Sequence, residues 1–153
     1  MPILSEIKNL KSKLLAIRLK ILNLIDIFAE ADFSFKLKTP LVYAGLKNSN
    51  YSFLEGVIKT SSGATIEEIN LGEHFKAVII PYSQARGFDF DGKFFLVGAL
   101  ARLNLNQENL NQKTKESTTH FLKMFPSDNL FHNNLAQAIE ILHAIDNSCE
   151  IID

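Results

Sequence analysis

The sequence predicts an α+β fold: a long N-terminal helix, short strands and hairpins in the middle, and two C-terminal helices packed as a helical bundle. Three observations carry that reading. Apolar residues recur at alternating spacings of four and three over residues 3–28, short β-prone runs broken by Gly, Asn, Ser and Pro fill 41–97, and helical spacing returns over 131–149. At 153 residues and 46% hydrophobic, the chain has the size of a single domain spanning 1–153. A chain of this length buries roughly two thirds of the surface it exposes when unfolded, enough for a real core.

The first stripe runs through Ile3, Ile7, Leu10, Leu14, Ile17, Ile21, Leu24 and Phe28. Residues at that rhythm line one side of a helix, so the stripe is expected to pack against other helices. Pro2 and Ser5 are start signals, and the stop falls within 32–40, because the residue before Pro40 is pushed out of helical geometry. Lys8, Lys11, Lys13, Arg18 and Lys20 decorate the polar side and read as a solvated face. Farther along, Asp91-Gly92 separates 88–90 from 94–97. A type I′ turn needs positive φ at both central residues, which Asp-Gly tolerates, so a hairpin is predicted there. A second hairpin is predicted from 56–59 through Ser61-Ser62-Gly63 to 64–66, and 75–80, ended by Pro81, reads as a strand on its Val and Ile content. Residues 106–125 predict a polar surface helix anchored by Leu110, Phe121, Leu122 and Phe125. On the last helix Phe131, Leu135, Ala138, Ile139, Leu142, Ile145 and Cys149 share one stripe, so Cys149 is expected to face the core.

Composition narrows the function. A formal net charge of -1 provides no long-range field to gather nucleic acid or an anionic membrane surface, so neither is expected as a partner. One cysteine cannot form an intramolecular disulfide, and no apolar run ends at a small-residue cleavage site near the N-terminus; a cytoplasmic location is the expectation. Charged residues interrupt every apolar run before about 18 residues, so no membrane-spanning helix is expected. Neither G-x-G-x-x-G nor G-x-x-x-x-G-K-[ST] occurs, which leaves an intrinsic nucleotide loop unsupported.

Two segments carry a family likeness. Val97, Gly98, Leu100, Ala101, Arg102 and Asn104 form Val-Gly-x-Leu-Ala-Arg-x-Asn, and Asn134, Ala136, Gln137 and Glu140 form Asn-x-Ala-Gln-x-x-Glu on the last helix. In order, spacing and the polar linker between them, they resemble the central-to-C-terminal part of the large (alpha) subunit of nickel-iron hydrogenases, of the cytoplasmic NAD(P)-linked or sulfhydrogenase type. The resemblance is strongest over 73–153 and readable over 41–82. It implies a fragment of a larger subunit, whose parent reaction is reversible dihydrogen oxidation coupled to NAD(P) reduction. It also implies partners: the remainder of that large subunit and a small iron-sulfur subunit. In that family two Cys-x-x-Cys pairs hold nickel and iron, and this sequence contains neither; Cys149 is its only cysteine. No catalytic, cofactor-binding or metal-binding residue and no cofactor is therefore expected in this chain, which is expected to be inactive alone. The alternative is a non-enzymatic interaction or scaffold module sharing the fold.

The remaining polar residues are weighed one by one. Glu140 and His143 lie on one helix face in a Glu-x-x-His, as in carboxylate-bridged di-iron bundles, but such a site needs a second pair and two further glutamates. Glu116 and His120 are the other pair at helical spacing. Glu140 and His143 are expected to be a hydrogen-bonded surface pair, and His74 and His132 to be solvated or bonded to backbone. Arg102 and Asn104 are expected to tie strand ends and helix starts together through backbone carbonyls. Cys149 has no base or cation placed beside it by the sequence and reads as a small apolar side chain rather than a nucleophile. The heptad-like stripe of the first helix is expected to pair two copies of the isolated chain into a homodimer.

Overall fold

The long first helix, α1 (Leu4–Glu30), runs antiparallel along the last, α5 (His132–Ile152), in a computed structural model that describes residues 4–153. Pro2 and Ile3, a start signal and the first residue of the stripe, lie outside the described residues. Charges and rings mark the register between the two helices. Lys11 pairs with Asp153; seven residues on, Arg18 pairs with Asp146, seven residues back; and Phe33 lies tilted against Phe131 at the far end. Two turns on one helix thus match two turns on the other, the condition for two straight helices to stay in contact.

The face of α1 that meets the core carries Ile21, Leu22, Leu24, Ile25, Phe28 and Ala29. This corrects part of the expected stripe, because Leu10 and Ile17 are exposed. The cause is the ion pairs: Arg18 and Lys11, read as solvated from their charge, turn toward Asp146 and Asp153 and rotate the contact face away from Leu10 and Ile17. After α1 the chain runs extended, and Asn129 holds it, accepting from Phe35 N–H and donating to the Phe33 carbonyl.

Six short strands follow: β1 (Val42–Lys47), β2 (Val57–Thr60), β3 (Thr65–Ile66), β4 (Phe75–Val78), β5 (Gly87–Phe90) and β6 (Phe95–Leu96). β2 and β3 pair antiparallel, as the second predicted hairpin requires, and β4 is the strand read over 75–80, preceded by the short helix α2 (Leu71–His74). The four-stranded order is β3-β2-β1-β6, with β6 parallel to β1, while β4 and β5 form a separate antiparallel pair. The Asp91-Gly92 turn forms as predicted, with φ of 50° and 73°. Its flanks pair only at Phe90 and Lys93, because β5 is taken by β4 and β6 by β1. A small apolar cluster of Val42, Ile66 and Phe90 lies among these strands.

The helix α3 (Ala99–Asn106) was not foreseen, and α4 (Gln112–Leu122) is shorter than the helix read over 106–125. Asn111 caps α4 by accepting from Lys113 N–H at 2.9 Å, which fixes its start. Thr114 and Thr118 are its fully buried residues, while Phe121 and Leu122, two of the predicted anchors, are partly buried against the core at its end. Leu110 and Phe125, two of the predicted anchors, are buried at its flanks. The α5 stripe is as read: Leu135, Ala138, Ile139, Leu142, Ile145 and Cys149 are buried, whereas Phe131 is half-exposed against Phe33 and Phe35. Leu100 and Leu103 of α3, Ile25 of α1 and Leu135, Ile139 and Leu142 of α5 share one core.

The Arg18–Asp146 pair anchors this arrangement, with the Asp146 side chain at 0% exposure. Arg18→Met should remove about 3–5 kcal/mol, because it leaves a buried carboxylate with Thr114 as its remaining donor. Urea unfolding measures it. A loss within about 1 kcal/mol would class the pair with exposed ion pairs and contradict the packing described.

Candidate functional site

Polar side chains on α5 bind the elements around it. At its start Asn133 accepts from Leu100 N–H at 3.2 Å, capping α3 where Gly98, at φ +102°, turns the chain through a conformation that a side chain would strain. Two turns on, Glu140 accepts from Arg102 Nε at 2.7 Å and Nη2 at 2.9 Å, and from the Tyr51 hydroxyl at 2.7 Å. This is the side-on, two-bond geometry that a guanidinium offers and an ammonium cannot. The bond to Glu140 raises the Arg102 pKa above its ordinary value. Burial, then the Glu140 charge, push the Tyr51 hydroxyl well above its usual range, so it stays a donor.

His143 is also buried, and its Nδ1 accepts from Asn111 N–H at 2.9 Å. Its Nε2 lies 3.1 Å from Asn147 Nδ2. Burial lowers the His143 pKa. Asp146 accepts from Arg18 and from Thr114 Oγ at 2.8 Å, joining α1, α4 and α5.

Several expectations are corrected. Glu140 and His143 are not a surface pair: both are buried and bonded to Arg102, Tyr51 and Asn111 rather than to each other. Arg102 binds a carboxylate, not backbone carbonyls, and its guanidinium lies 5.1 Å from the Phe53 ring centre. Asn104 does clamp backbone, donating to the Ser127 carbonyl and accepting from Ser127 N–H, both at 2.8 Å. His74 and His132 bond side chains instead: His74 Nδ1 lies 3.0 Å from Asp91, and His132 Nδ1 lies 2.7 Å from Ser127 Oγ. Glu116 accepts from Gln112 at 2.8 Å and His120 is exposed beside Phe121. Cys149 is buried without a disulfide. Among the described residues no group of three or more His, Cys, Asp or Glu is arranged to hold a metal ion, and no helix is long and apolar enough to cross a membrane.

Two open cavities meet at Arg102. One, of about 610 Å3, lies between α3 and α5 and is lined by Phe53, Val97, Gly98, Asn133, Gln137 and Ile141 among others. The other, of about 220 Å3, reaches under the sheet to Leu46, Ile58 and Phe75. A third, of about 510 Å3, is polar, with Asn50, Asn109, Gln112, Asn147 and Glu150 around His143.

The imidazoles of buried His143 and half-buried His132 contribute to the acid response. His143 and His132 both have folded pKa values lowered, burial being the main cause, against about 6.5 for an unfolded histidine. Between the folded and unfolded values the unfolded chain binds more protons, so stability is full above about pH 6.5 and falls as the pH drops through that window. His143→Gln, which keeps an acceptor for Asn111 N–H, should flatten the slope of stability against pH below 6.5, leaving the His132 part. Chemical unfolding across that range reads it. An unchanged slope would mean that His143 binds protons alike in the folded and the unfolded chain.

No protein-family model matches the chain. Similarity to individual proteins is clear. The chain is 27% identical over 130 residues to sulfhydrogenase 1 subunit alpha of Pyrococcus furiosus, covering 84% of this chain and 30% of that protein. It is 32% identical over 76 residues to sulfhydrogenase 2 subunit alpha of the same organism, covering 50% of this chain and 18% of that protein. It therefore spans less than a third of the length of either relative. Over most of its length it is similar to one part of a sulfhydrogenase alpha subunit.

Proposed function

We propose that the chain is a segment of a nickel-iron hydrogenase large subunit, whose whole carries out reversible dihydrogen oxidation coupled to NAD(P) reduction. The observation that supports this is the similarity to a sulfhydrogenase alpha subunit over 84% of the chain. In this reading the segment is scaffold. Arg102 and Glu140, from the two likened motifs, are spent on each other, and Asn104 is spent on the Ser127 backbone. Its partners are the remainder of the large subunit and a small iron-sulfur subunit, in the cytoplasm. The isolated chain forms a homodimer through the α1 edge at Leu10 and Ile17, which α5 leaves open.

The described residues do not fit a nickel-iron centre. Soft thiolates suit that metal pair, and the sequence offers one thiol, Cys149, which is buried. No step of the reaction passes through this segment's own side chains, and alone it is inert. One observation favours the second reading, a non-enzymatic interaction module: α1 folds back on α5 and closes a core without outside help.

Desalted protein analysed for metals should carry nickel and iron far below one atom of each per chain, with dihydrogen-dependent dye reduction at background. Stoichiometric metal would contradict the scaffold reading. The flanking genomic sequence separates the two readings: Cys-x-x-Cys pairs encoded in frame on either side support the hydrogenase segment, and their absence on both sides supports the module.

A further inference from the structure

The two cavities that meet at Arg102 form one open groove running from the sheet to α5. Its walls are apolar and face water: Phe53, Val97 and Ile141 keep 44%, 58% and 46% of their surface exposed. Contiguous apolar surface of this kind marks a place where something docks. The polar centre of the groove says what. Arg102 commits its Nε and Nη2 edge to Glu140, which neutralises its charge and leaves Nη1, on the opposite edge of the fork, without a hydrogen bond among the described residues. A neutralised pair exerts little pull on an anion, but an unbonded N–H beside apolar walls is matched by a neutral acceptor. A main-chain carbonyl between apolar side chains has that chemistry. Gln137, exposed on the α5 wall, adds an amide able to both donate and accept.

We propose that the groove seats an extended apolar polypeptide segment, one main-chain carbonyl of which accepts from Arg102 Nη1 while its side chains rest on Phe53, Val97 and Ile141. The source of the segment rests on the hydrogenase reading: it is the remaining length of an alpha subunit, of which the matched part is 30%.

An array of overlapping short peptides, tiling the part of sulfhydrogenase 1 subunit alpha outside the match together with scrambled controls, tests this. It is probed with the full chain, with Ile141→Glu and with Leu19→Glu, whose site is exposed on the side of α1 away from Leu10 and Ile17. A run of neighbouring peptides should bind the unaltered chain and Leu19→Glu alike, and bind Ile141→Glu roughly tenfold more weakly, since a carboxylate in a covered apolar groove is costly. Thermal unfolding of Ile141→Glu close to that of the unaltered chain confirms that the loss is local. A blank array, or binding that Ile141→Glu leaves intact, overturns the proposal. Scrambled peptides that bind equally well, and lose binding with Ile141→Glu, would keep the groove as a peptide site and remove the hydrogenase subunit as its source.

Discussion

A carboxylate buried on α5 is what the rest of the structure is arranged around. Glu140 sits inside the molecule, where an unpaired charge costs several kcal/mol, so the chain must bring donors to it. It brings two from distant parts of the sequence: Arg102 on α3, and Tyr51 in the connection between β1 and β2. Meeting that demand fixes where α3 lies on α5 and draws the sheet's long connection onto the same face. Arg102 then lies against Phe53, and the groove opens beside it.

The same logic repeats along the helix. Asp146 calls in Arg18 from α1 and Thr114 from α4, and His143 and Asn147 hold the Asn111 cap that starts α4. Hydrophobic area supplies the bulk of the driving force, but it is non-directional. The bonds to Glu140, His143 and Asp146 are directional, and they choose which side of each neighbour turns inward. That choice explains the surface as well. Because Arg18 must face Asp146, Leu10 and Ile17 are turned outward.

Features set by a local rule were readable from the sequence. The stripe of α5 and the inward direction of Cys149 follow from helical periodicity, and the Asp91-Gly92 turn follows from the tolerance of those residues for positive φ. Features set by a distant partner were not. Glu140 and His143 read as a surface pair because spacing shows only which residues share a face, and Arg102 lies 38 positions from Glu140. On α4 the anchors Phe121 and Leu122 were readable, but Thr114 looks solvent-facing until Asp146, 32 positions away, supplies its partner. The eight residues of α3 span little more than two turns, too few for periodicity to announce a helix. The family likeness fell on the residues that build the Arg102–Glu140 contact, yet nothing in the motifs themselves foretold that pairing.

A double-mutant cycle between Arg102 and Glu140 tests the dependence on the buried carboxylate most directly. Arg102→Ala, Glu140→Ala and the double variant would be unfolded in urea alongside the unaltered chain. If the fold is arranged around Glu140, Arg102→Ala should cost about 3–5 kcal/mol because it strands the charge, and the double variant should be no less stable than that single one. Losses that simply add, with no coupling between the two positions, would show that the pair is a passenger on a core held by its apolar side chains alone.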